Sequence, residues 1–159
     1  MKIAKSFLVL GIAMITLWPN DTLADACSGF VISEPLEPIL IGKAADGSKV
    51  MWISSEGVFI VSTPANHPAN LVGRVCGGGF KIAPDGKSGL GQGSCTYADQ
   101  EGDAFYLDWQ STFIEGTWKL AGGTGKFESF SGEGTFRPSK KFENMWSSST
   151  WEGECSLGK

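Results

Sequence analysis

The sequence predicts an all-β protein, a single closed antiparallel barrel of about eight strands held by two disulfides. Short runs rich in aromatic and β-branched residues alternate with clusters of Gly, Pro, Asn and Asp, the pattern of antiparallel strands and turns. Helical periodicity is almost absent beyond residue 26. The runs number eight or nine in about 115 residues, and closure is the economical way to leave no exposed sheet edge.

The first element is a targeting segment. Lys2 and Lys5 form a positive start, and residues 7–18 are apolar apart from Thr16. A run of about a dozen residues suits a signal peptide and falls short of the ~20 needed to span a bilayer. Ala24-Asp25-Ala26 supplies small residues for cleavage after Ala26 or Ala24. The expected division is therefore a signal peptide at 1–26 and a barrel domain at 27–159, exported to the periplasm or secreted. Cys27 follows small residues, as the acylated cysteine of a bacterial lipoprotein would. That signal takes Leu three positions earlier, where Ala24 stands, and a shorter gap after the apolar run, so it is not met. The remaining ~130 residues fit one domain with a sizeable core.

Within the domain, residues 50–54 and 58–62 read as a hairpin around Ser55-Glu56-Gly57, and residues 63–70, with two prolines and two asparagines, as a loop. Residues 71–83 and 87–98 flank Pro84-Asp85-Gly86, and Asp-Gly is a strong two-residue hairpin signal. The acidic run 99–103 marks a turn. In 104–110, Phe105, Leu107 and Trp109 share one face and Tyr106 and Asp108 the other. Residues 117–120 repeat the pattern with Trp118 and Leu120 inward. In the last strand, 146–155, Ser147, Ser149, Trp151, Gly153 and Cys155 share a face.

All four cysteines lie in the exported part, and an even count in an oxidising compartment points to disulfides. Cys76 lies nine residues before Asp85 and Cys95 nine after Gly86, so the hairpin sets them opposite each other. This gives Cys76–Cys95 and leaves Cys27–Cys155. A two-residue loop would make 76/95 a hydrogen-bonded pair, and a bulge at Gly77–Gly79 would shift it. Zinc is the rival reading, but there is no Cys-x-x-Cys and His67 is the only histidine. No metal and no cofactor are expected.

Few residues offer chemistry. The net charge is −4, with 13 basic residues scattered along the chain, so the concentrated positive footprint of a nucleic-acid binder is missing. His67 reads as a surface loop residue, and no Gly-x-Ser-x-Gly elbow accompanies it. In the 99–103 run, Gly102 stands at position four and Gln110 at position twelve, against the EF-hand's glycine at six and glutamate at twelve. Asp108, Glu115, Glu133, Glu152 and Glu154 lie in or beside strands, where an outward position is the default. Asp108 and Glu133 are the catalytic candidates should one face a cavity. Inward Trp52, Phe59, Phe105, Trp109, Trp118 and Phe136 either fill the barrel or line an apolar ligand cup.

The glycine-dense segment 116–136 remains. A Walker A loop would need Gly where Leu120 sits and Ser or Thr where Phe127 sits, and a dinucleotide fingerprint fails at Glu128. A structural corner between two strands fits better. The run Gly-Thr-Trp-Lys-Leu-Ala-Gly-Gly-Thr-Gly-Lys-Phe, followed by Gly132-Glu133-Gly134-Thr135-Phe136, resembles the dirigent and allene oxide cyclase-like β-barrel group, in particular its small exported bacterial relatives. The specific match covers about 25 residues. The resemblance implies an eight-stranded barrel with an apolar cavity that holds or acts on hydrophobic small molecules. It places no catalytic residue on this chain, and fold alone does not transfer activity. Three readings follow: a non-enzymatic barrel holding a hydrophobic small molecule, a cyclase or isomerase using one buried carboxylate, or a structural or interaction protein of the cell envelope.

Overall fold

The computed structural model describes residues 24–141 and 146–158. Most of the candidate leader, up to residue 23, lies outside them. The strands are β1 (Asp25–Pro35), β2 (Ile39–Lys43), β3 (Lys49–Thr63), β4 (Val72–Ile82), β5 (Gly89–Ala98), β6 (Ala104–Ser111), β7 (Gly116–Gly123), β8 (Ser131–Lys141) and β9 (Ser147–Ser156), with one 3₁₀ turn at Gly125–Phe127. Pairing runs β1-β9-β8-β7-β6-β5-β4-β3, and β1 returns to pair with β3. Eight antiparallel strands thus close into a barrel, and β2 is a ninth, added to the start of β3.

The expected hairpin at 50–62 is instead one strand, β3. Gly57 supplies close approach there rather than a turn. A Cβ on it would stand 2.1 Å from the carbonyl oxygen of Ile32 on β1. One edge of β3 pairs with β2 at 49–52 and then with β1 from Ser55 onward, while its other edge follows β4. This change of partner closes the barrel.

The β4–β5 hairpin keeps its expected centre but has a longer loop. The Ala83 N–H donates to the Ser88 carbonyl at 2.9 Å, leaving four residues between them, with Gly86 at φ 70°. Hydrogen-bonded pairs then fall on odd-numbered β4 positions. Cys76 and Cys95 face each other as a non-hydrogen-bonded pair, the kind with the closer Cα atoms, here 4.0 Å apart. No bulge interrupts this ladder. The second disulfide joins Cys27 to Cys155, tying β1 to β9.

Glycines shape the inner wall. Gly78 and Gly93 face each other across β4 and β5, and a Cβ on either would lie 2.5 or 2.7 Å from the Trp109 ring. Gly134 and Gly153 form the same kind of pair under Trp118, each 2.7 Å from its ring. The two indoles therefore lie on bare backbone, closer to the wall than any side chain would allow. The Trp118 indole N–H donates to the Thr135 carbonyl at 3.1 Å, which fixes its ring.

One end of the barrel is closed. Phe127 and Ala69 are fully buried there, and Phe105 is 1 % exposed. The glycine corner makes this floor. Gly122 (φ 127°) and Gly125 (φ 54°) take left-handed backbone, and the corner is pinned where the Thr124 N–H donates to the Ala104 carbonyl at 2.7 Å.

Gly153→Ala should cost about 1–3 kcal/mol, because its Cβ would stand 2.2 Å from the Glu133 carbonyl oxygen and 2.7 Å from the Trp118 ring. Gly79→Ala, whose Cβ meets nothing within 4 Å, should stay within about 0.5 kcal/mol; urea denaturation measures both. Sequence separations of 19 and 128 residues predict that losing Cys76–Cys95 costs about 3 kcal/mol and losing Cys27–Cys155 about 5 kcal/mol. Thermal melts of the paired Ser variants test that order.

Candidate functional site

The barrel interior is hollow. A cavity of 840 Å³ runs inward from the end opposite the glycine corner, within the size range of small-molecule pockets. Exposed Leu36, Glu37 and Pro38, from the β1–β2 connection, border it where it reaches the surface. The Leu36 N–H donates to the Ser54 carbonyl at 2.9 Å, which holds that connection against β3.

Its walls are aromatic. Tyr97 and Phe105 stack with centroids 4.5 Å apart, and Phe59 stacks on Trp151 at 4.6 Å. Trp118 meets Trp151 edge-on at 6.0 Å. The structure brings Phe59, Phe105, Trp109, Trp118 and Phe136 together as lining residues. Trp52 it places elsewhere. That ring lies on the outer surface across Gly77, 46 % exposed, because Trp52 pairs with Gly79 on the outward set of β4 positions.

Sequence reasoning missed Phe80, Tyr97, Phe130 and Arg74, which also line the cavity. The signal was available. Arg74 lies two residues before Cys76 and Tyr97 two after Cys95, and the period-2 alternation of a strand puts each on its cysteine's inward face. Arg74 and Tyr97 are direct partners across β4 and β5. The Arg74 Nη1 donates to the Ser55 hydroxyl at 3.0 Å. Burial pushes the Tyr97 phenol pKa up, against the opposing pull of the Arg74 guanidinium. Nearer the mouth, Ser33 and Ser147 hydroxyls lie 3.3 Å apart.

No strand carboxylate joins this site. Asp108, Glu115, Glu133, Glu152 and Glu154 are all exposed. Glu133 pairs loosely with Lys119 at 3.9 Å, both side chains over 70 % exposed. The catalytic candidates Asp108 and Glu133 thus sit on the outer face, opposite Lys119 on either side of β7.

The acidic turn docks instead on the glycine corner. Oxygens of Asp99, Glu101 and Asp103 lie within 4.8 Å of one another, and Lys126 forms ion pairs with Asp99 and Glu101. The Lys126 N–H also donates to Asp103 at 3.2 Å. Hydrogen bonding to Lys126 lowers the Asp99 pKa, and the same contact raises that of Lys126.

His67 corrects the expectation of a surface residue. It is 8 % exposed and lines the closed end of the cavity, its ring 5.3 Å from that of Phe130. The loop folds inward because the Ala69 N–H donates to His67 Nδ1 at 3.1 Å. That bond requires Nδ1 to be unprotonated, and burial lowers the His67 pKa. The unfolded chain therefore takes up the proton first as pH falls. The His67 contribution should be intact above its unfolded value near ~6.5 and should be lost progressively below it, down through the lower folded value. Urea midpoints measured against pH should fall over that window, and His67→Asn should flatten the slope.

No protein-family model matches this sequence, and no curated protein matches it at a significant level. Among solved structures, the pterocarpan synthase dirigent protein PsPTS1 superposes with a TM-score of 0.52 at 9 % identity, covering 86 % of this chain and 98 % of its own. A second, GePTS1, gives a TM-score of 0.49 at 11 % identity over 97 % of this chain and 96 % of its own. With its closed eight-stranded barrel and hollow interior, the chain has the dirigent-type β-barrel fold.

Proposed function

We propose that this protein is an exported barrel that holds a hydrophobic small molecule in its interior. The hollow 840 Å³ cup, walled mainly by aromatic rings, carries the reading. A barrel serving only as a scaffold is stabilised by filling its interior, since buried voids forfeit packing contacts. Here the indoles of Trp109 and Trp118 bring Cζ2 against glycine pairs, which keeps their bulk near the wall. The resemblance to pterocarpan synthase dirigent proteins extends to the fold only, and the reading for this chain is binding. A cyclase using a strand carboxylate lacks support, because Asp108 and Glu133 face outward.

Export rests on the leader at residues 1–26 and on two disulfides, which persist in oxidising compartments. Among the described residues no helix is long and apolar enough to cross a membrane. The structure bears on where cleavage would fall, because Asp25 and Ala26 pair with Cys155 and Glu154 at the start of β1. Cleavage after Ala24 would keep both of those pairs.

Native mass spectrometry of protein recovered from the periplasm of an exporting host tests both parts. The expected result is a chain shortened by the leader, both disulfides formed, and a noncovalent small-molecule adduct. The purified barrel should also take up a neutral lipophilic dye. Leu120→Trp, which adds bulk at a lining position, should weaken that uptake by about tenfold or more through lost cavity volume. A wild-type barrel that carries no adduct and takes up no dye would refute the cup.

A further inference from the structure

The cavity is mostly apolar, and one of its lining residues is a cation. Arg74 is a lining residue on β4, two positions from the closed end of that strand. No ion pair with it exists among the described residues, and the strand carboxylates face outward. A guanidinium carries five N–H donors in a planar fork. Nη1 donates to Ser55 and the Tyr97 hydroxyl stands against the same group. The Nε is buried with no acceptor. A second buried donor without an acceptor, the indole Nε1 of Trp151, belongs to another lining residue.

A charge lining an apolar wall is tolerated best when paired, and the Arg74 guanidinium has no carboxylate beside it among the described residues. Gly57, the direct partner of Arg74 on β3, adds no side chain of its own beside the guanidinium. The surrounding wall supplies aromatic surface and hydroxyls, and the carboxylate that borders the cavity, Glu37, is exposed at the mouth. The missing complement is thus a compact acceptor bearing negative charge, attached to a body that fits an aromatic cup.

We infer that the ligand is an amphipathic carboxylate, its acid group held by the Arg74 fork and its apolar body lying between the aromatic walls toward the mouth. A planar carboxylate meets a guanidinium through two parallel N–H···O bonds, and such charge-assisted pairs are about twice as strong as neutral ones. This assignment rests on the cup reading above and adds to it the chemical class of the occupant.

A matched pair of probes separates the two. A long-chain conjugated polyene fatty acid and its methyl ester are both intrinsically fluorescent and differ only in the charge of the head. The wild-type protein should bind the acid about tenfold or more tightly than the ester, the scale of one charged hydrogen-bonded contact. Arg74→Gln should erase that preference by weakening the acid, while ester affinity changes less than about threefold. Arg74→Lys, which keeps the charge but loses the fork, should restore part of it. Circular dichroism and urea midpoints show whether each variant is folded. If Arg74→Gln does not fold, the wild-type preference and the Arg74→Lys result still decide. Ester binding equal to acid binding in the wild type overturns the role of Arg74 and leaves the cup intact. Failure of both probes to bind the wild type overturns the cup and this assignment with it.

Discussion

Aromatic rings laid on glycine backbone set the dimensions of this barrel. In a small closed sheet the inward side chains ordinarily meet at the axis and fill it. Here the facing pairs Gly78/Gly93 and Gly134/Gly153 remove the side chains beneath Trp109 and Trp118. Each indole drops onto the wall and shields the strand backbone, so the aromatic mass lines the barrel instead of plugging it. The glycines that look wasteful for strand propensity are what allow a chain this short to enclose 840 Å³.

The two ends are built from different materials. The closed end is local and rigid. Phe127 and Phe130 from the glycine corner pack edge-on against Phe105, and the acidic turn clamps the corner through Lys126. The mouth is made from the β1–β2 connection and a few serines, with exposed Leu36. Packing contacts therefore concentrate at the floor, and access concentrates at the lip.

Charge is sorted just as sharply. The strand carboxylates sit on the outer face, where water solvates them and surface pairs such as Lys119–Glu133 contribute little. The one guanidinium that turns inward has only a serine and a tyrosine for company. The chemistry of the interior is thus that of recognition, with no carboxylate from the strands to act as an acid or base.

The sequence by itself determined what depends on local rules. Strand alternation put Phe105, Leu107 and Trp109 on one face, and the position of Asp85-Gly86 set the register that pairs Cys76 with Cys95. It also removed the phosphate-loop reading of the glycine corner. Where it failed, a residue had two physical uses that look alike in a string. Gly57 could make a turn or a close approach, and only the β1 backbone 2.1 Å from its missing Cβ decides for approach. His67 in a polar loop could face either way, and the Ala69 N–H together with Phe130 turns it inward. Trp109 alternates with polar Asp108 and Gln110, whereas Trp52 stands between apolar Met51 and Ile53 and could face either way, and only cross-strand pairing assigns Trp52 to the outward row and Trp109 to the inward row. Closure was expected from the strand count, but what it encloses was decided only in three dimensions. Whether eight strands leave a cup or a core depends on which rings rest on which glycines, and those contacts join residues far apart in the chain.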